Sequence, residues 1–220
     1  MAIRIIKVLV GILLLPVAVA QTFAFFGQLS RIQDFQGLPG YFLKGAGIYL
    51  IIHLLLYKPN YFYVLGHEIA HTLATFICGG QVRSFRVSGR GGGVLTTKSN
   101  FFIALFPYFF PAYTIFFWLA YFLFSLFRDA SGLVPHFLFL LGFSLTFHLV
   151  MTVDSLKVRQ SDIFKSGYLF SVSLICIFNV LLVSFILSLV FKDFSLSAFF
   201  RSTLERTNNI YYAVYEYLFL

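Results

Sequence analysis

His67, Glu68 and His71 stand in the spacing H-E-x-x-H. On a helix, residues i and i+4 lie one turn apart on the same face, so both imidazoles can reach one metal ion. The glutamate between them is then placed to take a proton from a water that the metal activates. This is the pattern of zinc-dependent peptide hydrolysis. The competing reading is a chance spacing. Three ionisable groups in an otherwise apolar helix are costly, however, unless a site uses them.

A catalytic zinc takes three protein ligands and leaves a position for water or substrate. The third ligand must come from His53, His148, Asp154, Asp162 or another acidic residue. For His53, in the helix before the motif, a hydrogen bond to a neighbouring backbone group or hydroxyl is an equal alternative. His136 follows Pro135 at a helix start and reads as interfacial. His148 and Thr152 are one turn apart, Asp154 follows at the end of the same run, and Asp162 opens a later one. Glu205 and Glu216 lie in the C-terminal tail and read as solvated.

These residues sit in a chain that is 60% hydrophobic and 11% charged. Soluble domains average about 25% charged residues, so the main solvent here is lipid. The formal charge of +8 resides mostly in short loops between apolar runs, where Lys and Arg face lipid head groups. Nucleic acid is therefore not an expected partner. Cys78 and Cys176 lie in separate apolar runs and read as small packed residues.

Six runs are long enough to cross a bilayer: Ile5 to Phe26, Tyr41 to Tyr57, Tyr61 to Cys78, Tyr108 to Phe127, Pro135 to Val153, and Tyr168 to Phe191. The first contains Ala18-Val19-Ala20, which resembles a signal-peptidase site. The apolar run continues past it, so a retained helix is expected. Pro59 begins the motif helix and Gly79-Gly80 end it. Ser84 to Ser88 alternates with period two and predicts a strand, Gly89 to Gly93 a turn, and Val94 to Thr97 a return strand. Pro107 and Pro111, four residues apart, predict a broken or re-entrant segment ahead of the fourth run. Asn179 lies in the sixth run, where an amide is expected to bond across to another helix. The tail from Asp193 mixes polar and aromatic residues and predicts an interfacial helix. Lys and Arg divide nearly evenly between the two faces, so the positive-inside rule assigns no orientation.

The expected fold is thus an all-α polytopic membrane protein of about six transmembrane helices, with a small β-hairpin insert after the motif helix. One domain is expected over residues 1–220. Its core covers about 61–191, with additional helices over 1–57 and the tail at 193–220.

From Tyr61 to Asn179 the chain resembles the site-2 proteases, a family of intramembrane zinc metalloproteases. In that family H-E-x-x-H lies in a membrane helix and a glycine-containing β insert follows. The likeness is strongest to the minimal bacterial members, which carry a downstream segment similar to His148-x-x-Met151-Thr152-x-x-Ser155-Leu156-x-x-x-Gln160-Ser161-Asp162. The resemblance implies that His67, His71 and Asp162 bind Zn2+, with Glu68 as the catalytic residue. It also implies a multi-pass protein of a bacterial cell membrane whose substrate is a transmembrane protein or peptide. The chain departs from better-known members at one point: they carry Asp-Gly, whereas Ile163 follows Asp162. Asp162 is favoured over Asp154 and His148 because a hard carboxylate suits catalytic zinc and because its position ahead of a late helix matches what the resemblance implies. A different class of function is a catalytically inactive scaffold that binds a partner helix. The intact Glu68 argues against it, since a scaffold has no use for a proton acceptor between two ligands.

Overall fold

The computed structural model describes residues 2–158 and 160–220. Apart from one hairpin, its elements are helical. They are α1 (Ala2–Leu29), α2 (Gly37–Ile51, continued by a π-helical turn Ile52–Leu56), α3 (Asn60–Ile77), β1 (Val82–Ser88) and β2 (Gly91–Thr96). Then follow α4 (Phe101–Leu105, continued by a 3-10 turn Phe106–Tyr108), α5 (Ala112–Phe127), α6 (Val134–Leu156), α7 (Ser161–Ser166), α8 (Tyr168–Val190) and α9 (Leu196–Phe219).

Among the described residues four helical stretches are long and apolar enough to cross a bilayer: Ile3–Leu29, Gly37–Leu56, Ser131–Leu156 and Tyr168–Val190. A fifth arises if Phe101–Tyr108 and Ala112–Phe127, bent by 74°, form one broken span. The bend falls at Pro107 to Pro111, as the two prolines require: each removes a backbone donor and blocks the preceding turn. The motif helix α3 is not among these stretches.

The chain divides into two compact units, residues 35–162 and residues 1–34 with 163–220. In the first, α2 packs against α6 through glycines. A β-carbon on Gly45 would strike the Phe139 carbonyl, and one on Gly142 would strike that of Phe42. Glycine at both crossing points lets the two backbones approach closely, the usual device where helices meet in lipid. Below the crossing Tyr49, Phe147 and Met151 form a buried cluster against Tyr63 and Tyr113.

In the second unit α1 packs on both α8 and α9. Gln21 donates to the Ile177 carbonyl at 3.2 Å, a link between α1 and α8. Asn179 donates to the Ile175 carbonyl at 2.8 Å, one turn back along its own helix. The tail helix α9 runs antiparallel beside α1.

The hairpin differs in detail from its expected form. β1 and β2 are antiparallel, with Ser88 opposite Gly91 and Val87 opposite Gly92. The turn is therefore only Gly89-Arg90, and Gly91 to Gly93 form the first half of β2. Gly91 adopts φ +148°, a conformation that L side chains rarely take. Gly92 is required for a different reason, its closeness to α3.

Candidate metal centre

The spacing of small residues on α3 fixes what can approach it. Gly66, Ala70 and Ala74 recur every fourth residue and are buried. Ala70 and Ala74 pack with Ile103 and Phe106, which brings the α4 segment onto this face. A β-carbon on Gly66 would come within 2.9 Å of the Tyr113 ring.

This close packing holds both histidines. The Nδ1–H of His71 donates to the Ile103 carbonyl at 2.8 Å. That bond fixes the tautomer with the Nε2 lone pair free for a metal, a common support for ligating histidines. The His67 ring stands edge-on to Tyr108, centroids 5.1 Å apart, and also contacts Tyr63 at 5.7 Å. Tyr108 is fully buried, so its ring acts as a fixed wall. The two imidazoles are 4.8 Å apart between centroids.

Asp162, at the start of α7, meets them. Its Oδ2 lies 3.5 Å from Nε2 of His71 and 4.0 Å from Nε2 of His67. One ligand atom from each of the three residues lies within 4.8 Å of the other two. Donors about 2.1 Å from a tetrahedral zinc stand roughly 3.4 Å apart, so small side-chain movements would complete a site. Two imidazoles and one carboxylate form the donor set of a catalytic zinc. Burial works against the Asp162 charge. The facing imidazoles outweigh it and hold the carboxyl well below the usual carboxylate range.

Glu68 is buried on the same helix. The hairpin lies over it: a β-carbon on Gly92 would come within 2.8 Å of Glu68 Cγ and 2.7 Å of Val64. The glycine run thus lets a strand pass directly over Glu68.

The other candidate ligands go elsewhere. Asp154 pairs with Lys58, with Lys157 at 2.7 Å and with Nε2 of His53 at 3.2 Å. His53 Nδ1 accepts from the Tyr49 hydroxyl at 3.1 Å. His53, which is buried, and Asp154, which is partly exposed, thereby link the end of α2 to α6. His148 is buried and lines a small cavity with His67, Pro107, Phe110 and Tyr113, outside the three-residue group. His136, Glu205 and Glu216 are also outside that group.

Comparison with models of known protein families, with curated proteins and with solved structures finds no match for this chain.

Proposed function

We propose that this chain is an intramembrane zinc metalloprotease of the site-2 protease kind, hydrolysing peptide bonds in or near transmembrane segments of membrane proteins. The observation that carries the proposal is the meeting of H-E-x-x-H on α3 with Asp162 from a distant part of the chain. The same chemistry follows from motif and donor set without reference to any relative. In this reading the protein is multi-pass in a bacterial cell membrane. Six segments cross it: the four long apolar stretches, the bent Phe101–Phe127 pair, and α3.

His67, His71 and Asp162 would hold the metal. A bound zinc would polarise an attacking water and the scissile carbonyl. Glu68 accepts the proton from that water and delivers it to the leaving amine. Burial beneath the hairpin keeps bulk water away from Glu68, which strengthens local electrostatics. A transmembrane substrate must first unwind, because helical hydrogen bonds shield its carbonyls. The strand at Val82 to Val87 in β1 has one edge paired with β2. Its other edge can hold the unwound substrate extended by adding a strand.

The test is cleavage of a model transmembrane peptide by the full chain in lipid with zinc. Wild type is expected to cut it, and Glu68→Gln to be slower by about 10²–10⁴-fold while retaining zinc. Equal cleavage by both proteins would show that Glu68 is not the proton acceptor.

A further inference from the structure

The tail helix α9 carries a polar face at a depth where lipid cannot solvate it. Its contacts run antiparallel along α1. Gln33 N donates to Asp193 at 3.1 Å, and Ser195 N donates to the Gln28 side chain at 3.3 Å. Arg206 lies over the Phe23 ring at 6.0 Å. The Tyr211 hydroxyl donates to the Leu13 carbonyl. The α1 stretch Ile3–Leu29 has a mean hydropathy of 2.4 and reads as a membrane span. A helix bonded along its length shares its depth, so Glu205, Asn208 and their neighbours lie level with the middle of α1.

Phe199 is fully buried on α9. Away from it, Arg201, Glu205, Asn208, Tyr212, Tyr215 and Phe219 are all exposed. Their alternating spacing of four and three is that of a coiled-coil seam. Among the described residues Arg201 and Glu205 make no ion pair. Charges in a membrane helix pair with one another or face a wet interior; they do not point at acyl chains.

We propose that this seam docks against the α9 seam of a second copy of the chain, inserted in the same direction. The seam is complementary to itself. In a parallel two-fold pair each seam residue faces its own counterpart, and Arg201 of each copy also lies one turn from the second copy's Glu205, so two equivalent cross-chain ion pairs offset the like-charge contacts. Asn208 meets its own counterpart near the axis, where an amide pair fixes register and favours a dimer. Tyr212, Tyr215 and Phe219 continue the seam as aromatic packing. An unrelated helix would need its own acid and base at matching heights, whereas a second copy supplies both by symmetry. The proposal rests on the membrane reading of α1 and is independent of the metal centre.

The test uses the full chain in lipid nanodiscs, with native thiols removed by Cys78→Ala and Cys176→Ala. Oxidation is expected to cross-link Asn208→Cys into a dimer but not Val214→Cys, which is exposed and off the seam. Arg201→Glu and Glu205→Arg are each expected to weaken dimerisation by about tenfold, and the double swap to restore it. A monomeric parent protein, equal cross-linking at both positions, or a double swap no tighter than the single variants would each overturn the proposal.

Discussion

A β-carbon on Gly92 would lie 2.8 Å from Cγ of Glu68, closer than real β-carbons approach any heavy atom. The same β-carbon would lie 2.8 Å from the Arg86 carbonyl, a backbone atom of β1, so the hairpin itself must shift to admit it. One glycine thus couples the strand proposed to hold substrate to the residue proposed to move its proton.

Gly92→Ala is therefore expected to displace β2 from α3 and to lower turnover by about 10²-fold, the typical cost of small misplacements at a reacting centre. Gly93→Ala is the control, because nothing lies within 4 Å of its β-carbon. Cleavage rates and zinc content of both variants decide the matter. Equal rates would mean the hairpin does not need its close seat on α3.

Tyr108→Leu removes the ring that walls His67 and is expected to weaken zinc binding by about 10–100-fold, as loss of outer support does. Tyr108→Phe keeps the ring and should bind zinc as wild type does. Competition with a fluorescent chelator measures both. A Leu variant that binds as tightly as wild type would show that the ring does not orient His67.

Asp154→Asn is expected to leave zinc affinity unchanged. It weakens the links to His53, Lys58 and Lys157. The two lysines are solvent-exposed, so the loss of stability should be about 1 kcal/mol. Thermal unfolding in detergent gives that loss, and metal analysis gives the affinity. Loss of zinc would mean that Asp154, not Asp162, serves the site.

How much was legible in the sequence depended on how local each cause was. The histidine pair needs only helical periodicity, so His67 and His71 declared themselves. Breaks at Pro59, Pro107 and Pro111 were equally readable, because proline acts on its own turn. Asp162 was one of several candidates, since only tertiary packing shows which carboxylate returns to the motif helix. Gly92 was hidden inside a run that reads as a turn: composition cannot separate a glycine needed for its φ from one needed for its missing side chain. Tyr108 and the Ile103 carbonyl left no signal at all. A backbone acceptor has no residue type, and Tyr108 is one of many aromatics in this chain. The tail illustrates the same limit. Its polar and aromatic residues match an interfacial helix, and only the contacts of Tyr211 and Ser195 with α1 place it along that helix.

We expect His67, His71 and Asp162 together to hold one zinc. Elemental analysis of the full chain, purified in lipid or mild detergent without chelator, tests it most directly. One zinc per chain is expected in wild type, and little or none in correctly folded His71→Ala and Asp162→Asn. Wild-type protein that is folded yet free of zinc, or an Asp162→Asn variant that retains it undiminished, would show that these three residues do not hold the metal.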